Sequence, residues 1–381
     1  MALRVLINTG PWLPVPPSGY GGIENMVAAL VPELRRRGVR VVLASVGESQ
    51  LPVDELVHVH QRPQFAALQQ PYNRVMGVAN AHMHLVARQL LQRDDIDLVH
   101  DHMEAAGPTV LSAMDGHAPP VLHTLHWDLA KHPDLYGTFA SERVFVNGVS
   151  SAQLARAPAA LRARSLGHVH LATPLARYAD RRVTPAKVDY LVVLGRITPG
   201  KGQHVAARLA HRIAVDVVLA GPVGPHHDPP ALARALAEDP DARQNPDVAY
   251  WCDQVRQHVD GHRVRWIGSV SSAERDQLVA HALATLFPLC WEEPGGTAVV
   301  ESLALGTPVV GYARGCLPEL VEHGHTGLLA APDDEDGLAA LVRRARTLSP
   351  ADCRRTAARR FSPAVMADGY CRLYERVLSG R

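Results

Sequence analysis

Trp291-Glu292-Glu293-Pro294-Gly295-Gly296-Thr297-Ala298-Val299-Val300-Glu301-Ser302-Leu303-Ala304-Leu305-Gly306-Thr307-Pro308-Val309-Val310 is the stretch on which the fold turns. An apolar run, Ala284 to Phe287, leads into it. An acidic loop follows, the Gly295-Gly296 pair opens a helix, and Gly306 ends that helix before another apolar run from Pro308 to Gly311. Strand, loop, helix and strand in so short a space form the repeating unit of a parallel sheet with crossover helices.

The same alternation runs through the chain in both directions. In the second half the strand candidates are Tyr190 to Leu194, Asp216 to Ala220 and Val264 to Ile267. In the first half they are Arg4 to Asn8, Val39 to Ala44, Asp97 to His100, Val121 to Thr124 and Arg143 to Val146. Between the first two lies a helix with Ile23, Met26, Val27, Leu30 and Leu34 on one face, in which Pro32 predicts a kink. Two such series predict an α/β protein of two Rossmann-like doubly wound domains, 1–180 and 181–361. Open α/β sheets bind ligands beyond the carboxyl ends of their strands, so two of them predict a central cleft. The stretch from Pro222 to His262 is broken by Pro225, Pro229, Pro230, Pro240 and Pro246 and reads as a surface excursion with two short helices. From Ser362, Met366, Tyr370, Leu373, Tyr374 and Val377 fall at helical spacing, which predicts a last helix over 362–381.

Composition narrows the class. The chain has 381 residues, of which 47% are hydrophobic and 20% charged, ordinary globular usage. Its 39 basic and 38 acidic side chains leave a net charge of +1, so no general attraction to nucleic acid or anionic lipid is expected. Any bound anion must be held by a local site. Only Lys131, Lys187 and Lys201 are lysines. The five cysteines are odd in number and contain no Cys-x-x-Cys pair, which argues against a disulfide framework or a zinc site and for a reducing cytoplasm. No secretory signal precedes the first strand and no uncharged apolar run reaches about 18 residues, so a soluble cytoplasmic protein is expected.

Four segments carry the chemistry, each at the carboxyl end of a predicted strand. Gly19, Gly21 and Gly22, just before Ile23 and Glu24, let backbone approach a ligand, and the helix start behind them offers N–H groups to an anion; a simple turn explains them equally well. Arg196 and Lys201, in the loop Gly195 to Gly202, suit a diphosphate: the guanidinium forks two oxygens and the ammonium acts as a point charge. In the opening stretch, amides near Gly296, Thr297 and Ala298 point out of a helix start toward phosphate oxygens, while Glu293 and Glu301 suit sugar and ribose hydroxyls. A capping or salt-bridge role for Glu301 and a solvated loop charge for Glu293 are the plainer alternatives. The fourth segment is the histidine set His100-Asp101-His102 and His123 to Asp128. It lacks helical metal-ligand spacing and reads as lining of the site by hydrogen bonds, best at His126, rather than as a metal centre. His58, His60, His82 and His84 read as surface.

The Glu293-to-Glu301 stretch, followed by Ala304 to Val310, resembles glycosyltransferase family 4, retaining nucleotide-sugar-dependent enzymes of the GT-B fold. The likeness extends to Gly21 to Glu24, Thr124 to His126, Gly195-Arg196 with Lys201-Gly202, Gly315 to Glu319, Gly324 to Leu329 and the Tyr370 to Tyr374 tail. It implies that residues 181–361 bind the donor and residues 1–180 the acceptor, with the last helix crossing back onto the first domain. Arg196 and Lys201 would contact the donor diphosphate, Glu293 the transferred sugar, Glu301 the ribose, and His126 would lie near the reacting centre. Gly21, Gly22, Gly195, Gly295, Gly296, Thr297 and Ala298 would complete the donor site. Where the family has an aromatic residue, this chain has Gly295. The implied reaction is retaining transfer of a sugar from a UDP- or GDP-linked donor to a small soluble acceptor, with no metal or other cofactor. Tyr20, His102 and Trp127 are acceptor-side candidates, with Trp12, Tyr72 and Tyr136 as further aromatic platforms. A nucleotide-sugar epimerase, a GT-B phosphorylase, a nucleotide-sensing module and a transferase acting on a lipid-linked or polysaccharide acceptor are the alternatives.

Overall fold

The computed structural model describes residues 2–19, 21–183 and 185–380. The chain forms two compact units, Met1–Pro174 with Pro363–Arg381, and Leu175–Ser362.

The first unit is built on a seven-stranded parallel sheet. In chain order its strands are β1 (Arg4–Asn8), β2 (Arg40–Ala44), β3 (Glu55–Val57), β4 (Leu98–Asp101), β5 (Val121–Thr124), β6 (Val144–Gly148) and β7 (Ser165–His168). Their order across the sheet is β3-β2-β1-β4-β5-β6-β7. The central strands are apolar on both faces because helices cover both, so Val5, Leu6 and Ile7 are all fully buried. One face carries helix Gly22–Arg36 together with the last helix, Pro363–Leu378, whose Met366, Tyr370, Leu373, Tyr374 and Val377 join the core of this unit. Pro32 is accommodated within a helix that runs unbroken to Arg36. The other face carries helix Tyr72–Gln92 and helix Ala106–Met114.

The second unit repeats the plan with six parallel strands: β8 (Val188–Leu194), β9 (Asp216–Ala220), β10 (Val264–Trp266), β11 (Ala282–Phe287), β12 (Val309–Tyr312) and β13 (Gly327–Ala330), ordered β10-β9-β8-β11-β12-β13. In both sheets the strand order reverses beside the first strand, between β1 and β4 and between β8 and β11. Connections leave such a switch point in opposite directions and open a crevice at the carboxyl ends.

Two sequence expectations are corrected. The Pro222 to His262 stretch is only in part a surface excursion: helix Pro229–Glu238 is followed by helix Pro246–Tyr250, which sends Val248 and Tyr250 into the core, and by the turn Trp251–Val255, which sends Trp251 and Val255 there. Trp251 lies against Trp266 with ring centroids 4.6 Å apart, so the aromatic payload outweighs the proline punctuation. His82 is not on the surface. It is fully buried on the inner face of helix Tyr72–Gln92, and its Nε2 lies 2.6 Å from Asn8 Oδ1.

Candidate active site

In the second unit the loops after β8 and β11 meet at the switch point. Gly200 O accepts the Cys290 amide at 2.9 Å, and Gly202 is held at φ +68°, where a Cβ would lie 1.9 Å from Pro288 O. Only glycine permits that approach. The juncture brings Lys201 Nζ onto Glu293 Oε2 as an ion pair, with the ammonium 5.4 Å from the Trp291 ring centroid. Their side chains are 26% and 15% exposed, enough burial for the pair to hold its geometry and enough opening for a ligand to reach it. Arg196 is largely exposed. Its Nη1 lies 3.7 Å from Asp247 Oδ2, and its own carbonyl is fixed by Gln203 Nε2 at 2.9 Å.

Glu293 is positioned through its backbone. Its carbonyl accepts the Cys316 amide at 2.9 Å, and a Cβ on Gly315, which sits at φ +57°, would fall 2.4 Å from the Glu293 nitrogen. Gly296 precedes helix Thr297–Ala304 with left-handed φ and ψ of 61° and 42° and gives no side-chain cap. A Cβ there would stand 2.7 Å from Leu320 Cδ1 and 2.8 Å from Cys316 Sγ. Among the described residues the Thr297 and Ala298 amides open the helix without a hydrogen-bond acceptor, and the dipole adds positive potential at the same point. One turn further, burial pushes the Glu301 carboxyl up to about 6, against the pull of Arg275, whose Nη1 lies 3.2 Å from Glu301 Oε1. Arg196, Lys201, Glu293, Gly295, Gly296, Thr297, Ala298 and Glu301 therefore all lie on the loops and helix that follow β8 and β11.

In the first unit the carboxyl ends of β1, β4 and β5 carry a buried polar network. Asn8 Nδ2 donates to Asp101 Oδ1 at 2.6 Å, and His123 Nδ1 donates to Asp101 Oδ2 at 2.6 Å. Thr124 Oγ1 donates its one proton to Asn147 Oδ1 at 2.8 Å, so it must accept from His100 Nε2, also at 2.8 Å. His100 Nδ1 is then an acceptor, and Tyr374 OH donates to it at 2.7 Å. His102 Nδ1 and His126 Nε2 are 2.9 Å apart, which requires one ring to donate and the other to accept. Burial holds His126 down to about 3 and His102 well below the usual imidazole range, with neighbouring rings adding to the effect, so both are neutral donors or acceptors at pH 7. Trp127 is buried and donates its indole N–H to the hydroxyl of Tyr136, itself fully buried, at 2.7 Å. Gly21 caps helix Gly22–Arg36 against Pro17, Gly22 faces open space, and Tyr20 lies outside the described residues.

Several participants escaped the sequence reading. Asp247 follows Pro246 in the proline-rich stretch, and Arg275 belongs to a polar helix with no motif. His82 did leave a signal, since it stands four residues after Val78 and four before Val86, in register with the buried stripe of its helix. Glu24 is buried at the first turn of helix Gly22–Arg36, which pushes its carboxyl up to about 7.

Comparison with known proteins fits this geometry. Residues 177–360 match the family described as glycosyl transferases group 1, and residues 20–187 match glycosyltransferase family 4. The chain belongs to the family 4 glycosyltransferases. This family 4 member is 29% identical over 367 residues to a D-inositol 3-phosphate glycosyltransferase of Actinosynnema mirum, covering 85% of this chain and 84% of that protein. A shorter stretch of 91 residues is 40% identical to glycogen synthase of Mycobacterium tuberculosis; it spans 24% of this chain and only 22%, about a fifth, of that relative. Among solved structures, AviGT4, a glycosyltransferase involved in avilamycin A biosynthesis, is 27% identical and superposes with a TM-score of 0.64 over 100% of this chain and 99% of that one. The fold of this chain is GT-B, built from two Rossmann-like units with the sheet orders given above. Among the described residues, no helix is long and apolar enough to cross a membrane.

Proposed function

We propose that this protein transfers a sugar, with retention at the anomeric carbon, from a UDP- or GDP-linked donor to a hydroxyl of a small soluble acceptor in the cytoplasm. The observation that carries the reading is the Lys201–Glu293 pair set beside the open helix start at Gly296. A nucleotide-sugar diphosphate offers what each group lacks. Its oxygens take the Lys201 ammonium, the Arg196 fork and the Thr297 and Ala298 amides, and the sugar hydroxyls take the Glu293 carboxylate released from lysine. With fixed cations and amides aimed at the diphosphate, charge that grows on the departing nucleotide is stabilised without a divalent ion. The anomeric C–O bond to phosphate breaks, a bond to the acceptor oxygen forms on the same face, and the acceptor proton passes to the leaving diphosphate. No side-chain nucleophile takes part. Residues of the first unit serve the acceptor, with neutral His126 as a hydrogen-bonding group for a sugar hydroxyl.

The small polar acceptor is supported by the likeness over 85% of this chain to a D-inositol 3-phosphate glycosyltransferase, and over its whole length to AviGT4, a glycosyltransferase involved in avilamycin A biosynthesis. The test is to incubate purified protein with UDP-, GDP-, ADP- and dTDP-sugars, with and without candidate acceptors, and to read product anomers by NMR. Retained configuration in an acceptor-dependent product is expected. An inverted anomer, or donor epimerisation without acceptor, would overturn the reading.

A further inference from the structure

Arg275 lies on helix Ser272–His281, whose start is closed by a capping box of Ser271 and Glu274. Its guanidinium is held from one side by Asp276 Oδ1, which accepts from Nε at 3.0 Å and from Nη2 at 2.7 Å. Nη1 is left to face Glu301 Oε1 at 3.2 Å. The Arg275 and Glu301 side chains are 27% and 17% exposed, so the pair is only partly screened by water. Among the described residues the charges that act on Glu301 are Arg275 and Asp276, both from this helix. Strand β12 and the helices Leu317–Leu320 and Pro350–Phe361, which also pack against Thr297–Ala304, add none.

We propose that Arg275 is a positioning residue for nucleoside recognition: it keeps the Glu301 carboxylate ionised and aimed, so that the choice of a ribonucleoside over a 2′-deoxyribonucleoside diphosphate rests on this ion pair. The inference rests on the reading of Glu301 as the ribose contact. An ionised carboxylate accepts from both hydroxyls of a ribose, whereas a protonated one spends an oxygen as a donor. Burial already works against the ionised form, and Arg275 is the one opposing charge. Without it Glu301 would face Asp276, a like charge, and burial together, and would carry a proton near neutral pH.

The experiment is calorimetric titration of the full chain with UDP, GDP and ADP and the 2′-deoxy counterpart of each, from pH 5.5 to 8.5. It compares the parent with Arg275→Met, Arg275→Lys, Asp276→Asn and Glu301→Gln. Charge-assisted hydrogen bonds to the diol give an expected ribo-over-deoxy preference of roughly tenfold or more at pH 8, lost as pH falls through about 6. In Arg275→Met the midpoint of that loss moves up by about one pH unit or more; in Arg275→Lys it returns toward the parent; in Asp276→Asn it moves down. An unshifted midpoint in Arg275→Met, or equal weakening of both ligands at every pH, overturns the inference, since that is what a merely structural arginine would give. Should Arg275→Met fail to fold, an unshifted midpoint in both Arg275→Lys and Asp276→Asn overturns it. Glu301→Gln separates the two levels. If it leaves the ribo-over-deoxy ratio intact, or if no nucleotide binds the parent, the ribose reading falls and the inference with it. If it abolishes the ratio while the Arg275 and Asp276 variants leave the midpoint in place, the inference alone falls.

Discussion

Replacing Lys201 with methionine removes a charge and little volume, and it isolates what the ammonium contributes to the proposed transfer. The side chain is about a quarter exposed, so a phosphate oxygen arriving about 4 Å away would interact with it at an effective dielectric of about 20, worth roughly 4 kcal/mol. If that interaction is made as the leaving group gains charge, the rate falls by about three powers of ten, at about 1.4 kcal/mol per decade. The substitution also strips Glu293 of its partner, and an unpaired, mostly buried carboxylate costs about 1–3 kcal/mol of stability. The double variant Lys201→Met/Glu293→Gln therefore separates the two effects: its melting temperature should recover while its rate stays low. The assay is initial transfer rate at saturating donor, with thermal unfolding in parallel. A single variant with parental unfolding and a kcat within tenfold of the parent would remove Lys201 from transition-state stabilisation.

Burial lifts the Glu24 carboxyl from 4.5 to about 7, so the folded protein holds this proton more tightly than the unfolded chain. Below about pH 4.5 both states are protonated and nothing is lost; above about pH 7 the folded state carries a charge it disfavours, by on the order of 3 kcal/mol. Glu24→Gln should thus raise the unfolding midpoint at pH 8 and leave it unchanged at pH 4, and equal shifts at both would refute the assignment. Tyr374→Phe removes the hydroxyl that donates to His100 and should cost about 1–3 kcal/mol in urea unfolding; a change below about 0.5 kcal/mol would mean that water replaces it. Gly202→Ala forces a Cβ onto Pro288 O at a left-handed φ, and should lower both unfolding temperature and donor affinity. Since His126 stays neutral down to about pH 3, the parent and His126→Asn should share the shape of their pH–rate profile between pH 5 and 8, differing only in height.

The sequence made the central strands legible because each is buried on both faces and must be apolar throughout, as in Val5-Leu6-Ile7 or Val217-Val218-Leu219. It hid β3, with only three residues, and β7, whose Ser165, Gly167 and His168 suit a sheet edge but lack any apolar run. Arg196, Lys201, Glu293 and the Gly296 turn were readable for a related reason: a switch point places strand-end loops together, so charge and glycine after a strand have one structural meaning. The partners of Arg196 and Glu301 were not readable. Asp247 reaches Arg196 across 51 positions and Arg275 reaches Glu301 across 26, separations that no local period encodes. The histidine cluster was visible as composition, but its arrangement depends on which ring carries which proton, and that is decided by Thr124, Asn147 and Tyr374 around it.

Helix Pro363–Leu378 completes the first unit although all of Leu175–Ser362 lies between them in the chain. On a ribosome adding about 5–20 residues per second, the first sheet must wait on the order of ten seconds or more with one flank of its core bare, until Tyr370 and Tyr374 emerge. The second unit, continuous in sequence, can condense in the meantime. Maturation of the first unit therefore follows synthesis of the second, and a ribosome that stalls between Ser362 and Leu378 would damage a unit whose sheet it had made much earlier.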